Sequence, residues 1–144
     1  MPLARCLLAV ALASASVVVQ AGQPALTRTT MASGLPLAPE QKAVAFERAE
    51  LSFKVDPARR WLEGDATLAF RAVRPIDKLV VDLDRNYAVD GVEVDGKAID
   101  AAHWRNPEGR MTVDLPKPLA VNADVLLRIR YSGHPHVAEK APWD

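Results

Sequence analysis

The stretch that decides the fold is WLEGDATLAFRAV, residues 61–73. Its alternate positions separate by polarity, and this period of two is typical of a β-strand with one buried face. One face carries small or apolar residues, namely Leu62, Gly64, Ala66, Leu68, Phe70 and Ala72. The other face carries Glu63, Asp65, Thr67 and Arg71. The run is long for a strand, and its glycine predicts a bulge or bend at Gly64.

The same alternation precedes this stretch, in RAELSFKV, residues 48–55. Apolar residues there occupy every second position, at Ala49, Leu51, Phe53 and Val55. This pattern predicts a second half-buried strand. Asp56-Pro57 follows directly and predicts the turn between the two strands.

Further short strands follow, each bounded by turn residues. We predict them at residues 78–84, 92–94, 97–99, 103–105, 111–115 and 125–131. Asp95-Gly96 predicts a type I′ hairpin, because both central residues of that turn need positive φ. Pro116 and Pro118 predict a break after the strand at residues 111–115. In the last strand, Leu127 and Ile129 share a face opposite Arg128.

Seven or eight short strands without an amphipathic helix between them predict an all-β antiparallel sandwich. A parallel sheet would need crossover helices, and none fits between these strands. The 144 residues, 49% hydrophobic and 25% charged, are typical of one globular domain. Eighteen basic and eighteen acidic residues balance, so nothing predicts a surface for nucleic acid or anionic lipid.

The first residues predict export to the periplasm or secretion. Residues 1–21 have an early charge at Arg5, an apolar run over 7–19 and a small-residue cleavage site ending at Ala21, which is typical of a helical signal peptide. The apolar run is shorter than the roughly 20 residues that a membrane anchor needs. Cys6 would leave with the signal peptide. Residues 22–45 are rich in Pro, Gly, Ser and Thr and predict a flexible leader.

Two histidines provide the main candidate for metal chemistry. His134 and His136 would face the same way in an extended segment, with Glu139 three residues further on. Two imidazoles and a carboxylate suit a divalent metal. The competing interpretation, which we favour, is a solvated turn, because Pro135 separates the histidines and ordered metal sites need rigid elements.

Other candidate residues have structural interpretations. The acidic residues Asp82, Asp84, Asp90 and Asp95 fall at strand ends and turns, where aspartate normally binds backbone groups. Three tryptophans, Trp61, Trp104 and Trp143, raise the alternative of a free-standing carbohydrate- or protein-binding module, although scattered aromatics are more often core residues. We therefore assign no catalytic, cofactor-binding or metal-binding residue.

The order of these strands resembles the N-terminal β domain of the aminopeptidase N family of zinc metallopeptidases, which includes leukotriene hydrolase relatives. The segments that carry the resemblance are residues 48–56, 61–70, 79–83, 92–96, 127–135 and 141–144. Residues 61–70 are similar to the second strand of the family's first hairpin. The exit Tyr131-Ser132-Gly133-His134-Pro135 is similar to the Tyr-x-Gly-x-Pro that closes the domain.

The resemblance implies a saddle-like β domain over residues 46–135 that packs on a thermolysin-like catalytic domain and walls its substrate cleft. Residues 136–144 would be a truncated linker toward that domain, which we expect to be absent from this chain. The family holds zinc through His-Glu-x-x-His and a later Glu, and these motifs do not occur here. We therefore expect zinc and peptide substrate only in the partner domain, and no activity from this chain alone.

The same resemblance implies an exposed apolar face that the partner domain would cover. Whether the chain is a fragment or a short gene product stays open at this point.

Overall fold

The computed structural model describes residues 36–136, and they form an antiparallel β-sandwich, which confirms the predicted fold class. Eight strands follow one another, namely β1 Val44–Asp56, β2 Trp61–Ala72, β3 Ile76–Asp82, β4 Tyr87–Val94, β5 Lys97–Ala98, β6 Trp104–Arg105, β7 Arg110–Leu119 and β8 Asp124–Gly133. Two short 3-10 helices are present at Gln41–Ala43 and Ala101–His103. No helix among the described residues has the length and apolar content to cross a membrane. The predicted signal peptide, most of the leader and the linker beyond residue 136 lie outside the described residues.

The strands form two sheets. The large sheet has the order β1-β2-β8-β4-β5 and the small sheet the order β3-β7-β6. Every strand pair is antiparallel. The inner faces of the two sheets meet in a core that includes Phe70 and Leu127 from the large sheet and Leu79, Met111 and Val113 from the small one. Burial of this apolar surface is the main force that holds the sandwich together.

The predicted faces of β2 are confirmed, but its glycine has a different role. The pairing of β2 with β1 and with β8 runs through Gly64 without a shift, so of the predicted bulge or bend the bulge is wrong. A Cβ atom at Gly64 would lie 2.3 Å from the ring of Tyr131. Glycine is present at this position because the tyrosine ring occupies the space that a side chain would need.

The bulge lies in β1 instead. The register between β1 and β2 shifts between Phe46 and Arg48, which makes Glu47 the extra residue. The shift keeps Phe46 on the inner face, where its ring meets that of Phe70 edge-on at 5.9 Å. Strand β1 begins at Val44, so the last residues of the predicted leader belong to the folded domain.

Of two predicted interruptions between strands, one is a turn and the other is not. Asp95 and Gly96 have φ values of 51° and 74°, as the predicted type I′ hairpin requires. The predicted break at Pro116 and Pro118 is wrong, because β7 continues through both residues to Leu119. Both prolines are exposed and lie beside the register shift between β3 and β7. A proline is tolerated at such a position because the ladder does not need its missing N–H.

Candidate docking surface on the edge strand

The most unusual surface of the domain is the inner face of β1. Four apolar side chains on this face are largely exposed, namely Phe46 (61%), Leu51 (55%), Phe53 (52%) and Val55 (62%). We call these four residues the β1 strip. The strand predicted at residues 48–55 is present, but the prediction that one face of it is buried is wrong. The exposed apolar face that the family resemblance implied is present, and this strand carries it.

The β1 strip is uncovered because the small sheet covers only part of the large sheet. Residues of β3 and β7 pack over the inner faces of β8, β4 and the end of β2, where Val92, Val125 and Leu127 are buried. From β1, Val44 alone among the described residues belongs to this core, and only at its margin. The strip therefore lies beyond the edge of the covering sheet.

At the centre of the strip, the neighbours on β2 are too small to cover it. Leu51 is paired with Ala66, and Phe53 is paired with Gly64. The strip is thus a continuous apolar row along an edge strand. Contiguous exposed apolar surface of this kind usually marks a site of protein interaction.

Sequence reasoning missed one member of the strip, Phe46. The bulge at Glu47 moves the alternation by one residue, so a period of two counted from Leu51 places Phe46 on the polar face. The signal that could have found it is the three-residue spacing between Phe46 and Ala49, at which the apolar positions resume.

The outer face of the large sheet is charged and internally paired. Arg128 donates two hydrogen bonds to Asp65, at 2.9 and 2.6 Å, and also lies 3.6 Å from Glu93. The hydrogen bond from Arg128 lowers the pKa of the Asp65 carboxyl group, and the same contact raises the pKa of Arg128. A groove of about 560 Å³ on this face is lined by Ser52, Lys54, Glu63, Gly64, Asp65, Asp90, Arg130, Tyr131 and Ser132. Its charged side chains largely neutralise one another, so the groove favours no ligand of one charge.

The two histidines of the metal hypothesis bind different partners. His134 Nδ1 donates to the Arg60 carbonyl oxygen at 2.9 Å, and its ring packs edge-on against Trp61. His136 Nδ1 lies 2.5 Å from Asp84 Oδ2. Glu139 lies outside the described residues. Within residues 36–136 no group of three or more His, Cys, Asp or Glu side chains is placed to hold a metal ion, so the family's zinc has no ligand set among them.

The tryptophans do not share one surface. Trp61 begins β2 of the large sheet, with the Arg59 guanidinium 5.7 Å from its ring centre. Trp104 belongs to the small sheet and packs against the core. Trp143 lies outside the described residues. A flat platform for stacking sugars, which needs coplanar exposed rings, is therefore not formed by Trp61 and Trp104.

Two of the four turn aspartates, Asp84 and Asp95, bind backbone groups as predicted, whereas Asp82 contacts the side chains of Gln41 and Arg110 instead. Asp84 accepts a hydrogen bond from the backbone N–H of Asn86, and Asp95 accepts one from that of Leu126, both at 2.9 Å. On the inner face, the rings of Tyr87 and Tyr131 lie 5.2 Å apart, and burial raises the pKa of both hydroxyl groups.

Solved structures of M1 zinc metallopeptidases contain a part that is similar to this sandwich. An M1 zinc metallopeptidase from Deinococcus radiodurans matches 72% of this chain with a TM-score of 0.60 and 27% identity. A mutant of an M1 zinc metallopeptidase from the same organism, bound to a Tyr-Ser-Ala substrate, matches 69% with the same score and identity. A two-domain M1 zinc metallopeptidase mutant bound to L-arginine matches 72% at 26% identity, again with a TM-score of 0.60. No protein-family model matches the chain, and no curated protein does.

The fold defines the class first: an antiparallel β-sandwich domain of the kind that M1 zinc metallopeptidases contain. The resemblance to the N-terminal β domain of the aminopeptidase N family is thereby confirmed. The chain spans 22% to 23% of the length of the metallopeptidase chains that it matches.

Proposed function

We propose that this chain is the noncatalytic N-terminal domain of an exported aminopeptidase N-like zinc metallopeptidase. In this role it serves as a scaffold for a thermolysin-like catalytic domain and shapes one wall of the substrate cleft. The β1 strip is the observation that carries the proposal. Because exposed apolar surface of this extent is unfavourable in water, the strip is best explained as a contact for another domain.

The relatives support a partner of this kind. The matching metallopeptidase chains are several times longer than this one, and one of them is a two-domain protein. Another was solved with a Tyr-Ser-Ala substrate. In our proposal this chain meets a peptide only through the partner domain, since its own contribution is a rigid β surface beside the cleft.

The proposal assigns no chemical step to the residues described here. Hydrolysis by a zinc-activated water needs three protein ligands in fixed geometry and an open fourth position. The His-Glu-x-x-His motif that supplies such ligands in the family does not occur in this sequence. Zinc, when bound in the partner domain, would activate the water, and this chain would exclude solvent and limit access from one side.

Export is part of the same proposal. The pattern of residues 1–21 supports a signal peptide that is cleaved after Ala21 in the periplasmic or secreted protein. N-terminal sequencing of the exported protein tests this directly, and the expected first residue is Gly22. A mature protein that still begins at Met1 would contradict it.

A chimera tests the scaffolding role. Residues 36–136 would replace the matched region of the Deinococcus radiodurans metallopeptidase, and hydrolysis of Tyr-Ser-Ala would be measured. We expect an active chimera that loses activity when Phe53→Lys places a charge in the β1 strip, because the charge would be buried against the partner. Ser52→Lys, on the other face of the same strand, is the matched control and should retain activity.

Two outcomes would count against the proposal. The first is a chimera whose activity is insensitive to Phe53→Lys. The second is zinc-dependent release of N-terminal residues by this chain alone, since the proposal gives it no catalytic machinery.

A further inference from the structure

We propose that the free edge of β1 pairs antiparallel with β1 of a second copy of this chain, in a register centred on Ser52. The pairing would join the two large sheets across a two-fold axis into one continuous sheet. It uses the backbone edge of β1, whereas the proposed function uses the apolar face, so the inference goes beyond that function.

The edge of β1 is open over a long regular segment. Strand β1 stands at the end of the large sheet and pairs with β2 alone among the described strands. The bulge lies between Phe46 and Arg48, and from Arg48 to Asp56 the register is regular and proline is absent. Proteins usually protect such edges with bulges, prolines or short strands, because unpaired N–H and C=O groups recruit another strand. None of these devices interrupts β1 between Arg48 and Asp56.

The charges on the outer face of this segment are self-complementary. In an antiparallel pair centred on Ser52, Arg48 lies opposite Asp56 of the second copy, and Glu50 lies opposite Lys54. The two-fold axis repeats each pair, so the interface gains four cross-strand pairs of opposite charge. Opposite charges that face each other across two strands stabilise the pairing.

Neighbouring registers lose this match. A centre at Leu51 would place Arg48 opposite Lys54, and a centre at Glu50 would place two glutamates opposite each other. A centre at Phe53 would place Glu50 opposite Asp56. Registers that place an even-numbered residue opposite an odd-numbered one, such as Ser52 opposite Leu51, would put the polar face of one strand on the same side of the sheet as the apolar face of the other. The charge order therefore selects the register centred on Ser52.

The apolar residues agree with the same register. Leu51 would lie opposite Phe53 of the second copy, and Ala49 opposite Val55, so the two β1 strips would merge into one surface. Pairs of aromatic and aliphatic residues across two strands are among the favourable ones.

Three of the four charged side chains are exposed. The fourth, Asp56, is half-buried and its Oδ1 accepts a hydrogen bond from the backbone N–H of Arg59 at 3.0 Å, so Arg48 of the second copy would meet its Oδ2. The side chains of Arg48, Glu50 and Lys54 are 63%, 70% and 79% exposed. Within the chain, Arg48 lies 3.5 Å from Glu50, and Lys54 lies 3.3 Å from Glu63. Exposed ion pairs of this kind are weak and exchange readily, so they do not prevent pairing with a second copy.

Disulfide trapping tests the register. In the full chain carrying Cys6→Ser, Ser52→Cys would place two thiols directly opposite each other. Opposed residues in an antiparallel pair have Cα atoms roughly 4.5 to 5.5 Å apart, which is within disulfide range. We expect a covalent dimer on mild oxidation. Glu50→Cys is the matched control, because its two copies would be about 13 Å apart and should stay unlinked.

Charge reversal tests the interface in solution by sedimentation equilibrium of the full chain. Either Glu50→Lys or Lys54→Glu should raise the dimer dissociation constant about tenfold or more, because each creates two pairs of like charge. The double variant restores opposite charges and should return to within about threefold of the unaltered chain. Circular dichroism of each variant confirms that the fold is retained.

Several results would overturn the inference. They are a chain that stays monomeric at all concentrations, equal crosslinking of Ser52→Cys and Glu50→Cys, or a dimer that charge reversal does not weaken. A folded monomer would leave the proposed scaffolding role intact, because the chimera tests that role separately.

Discussion

Strands β1 and β8 lie in the same sheet and present the same kind of inner face, yet their environments are opposite. Leu127 of β8 is fully buried, whereas Leu51 of β1 is 55% exposed on the same side of the sheet. The small sheet covers one strand and does not reach the other. The comparison shows that alternation in the sequence determines which side chains share a face. Coverage by the second sheet determines whether that face is buried.

The largest expected effect is the difference in stability loss when each of these two leucines is replaced by alanine. Leu127→Ala should lower the free energy of unfolding by about 2 to 5 kcal/mol, because it leaves a cavity in a packed core. Leu51→Ala should lower it by less than about 1 kcal/mol, since most of the side chain is already in water. Urea unfolding of the two variants, followed by circular dichroism, measures both values.

The two variants are each other's control, because the chemical change is the same. Equal losses of stability would mean that the β1 strip is covered in the folded protein, and the contrast between covered and uncovered strands would then fail.

A smaller loss of stability is expected when a glycine is replaced by alanine, and it should differ between the two faces of the large sheet. Gly64→Ala should cost about 1 to 3 kcal/mol, because the new Cβ would overlap the Tyr131 ring on the inner face. Gly91→Ala meets the guanidinium end of Arg130 on the outer face, which can move aside, so its cost should stay below about 0.5 kcal/mol. Thermal unfolding of the two variants measures the difference. If Gly91→Ala proves the more damaging, the packing assigned to Tyr131 is wrong.

The smallest effect concerns the charged outer face and depends on pH. The pKa of Asp65 is lowered in the folded state by Arg128, so its stabilisation is present above the unfolded pKa of about 3.9 and is lost as pH falls through the folded pKa. Asp65→Asn should remove this loss and lower stability near neutral pH by less than about 1 kcal/mol, since the pair is partly exposed. Unfolding between pH 2 and 7 measures the profile.

The matched control lies on β1 and β2, at the more exposed pair of Lys54 and Glu63. Glu63→Gln should lower stability near neutral pH by less than Asp65→Asn does, because the exposed pair contributes less. A profile that is identical for the unaltered chain and Asp65→Asn would contradict the role given to Arg128.

Local sequence was sufficient for most of the strands. The alternation in residues 61–73 predicted both faces of β2, and Asp95-Gly96 predicted the type I′ turn between β4 and β5. Both features are set by the local geometry of the backbone. The role of Gly64 was not predictable, since the residue that requires it, Tyr131, is distant in sequence and meets it only through the pairing of β2 with β8. The passage of β7 through Pro116 and Pro118 was missed for a similar reason, because their tolerance depends on the neighbouring strand.

The β1 strip was likewise predictable only in part. The sequence supplied the alternation of Leu51, Phe53 and Val55, and the family resemblance supplied the expectation of an uncovered apolar face. Neither indicated that β1 would carry that face, or that Phe46 would join it through the bulge at Glu47.

By itself, the sequence determined an all-β chain with defined strand faces, because a period of two and the chemistry of turns are local properties of the backbone. The tertiary structure alone decided which apolar face is buried and which remains open to a partner. Burial depends on how far the small sheet extends over the large one, and that extent arises from contacts between residues far apart in the chain.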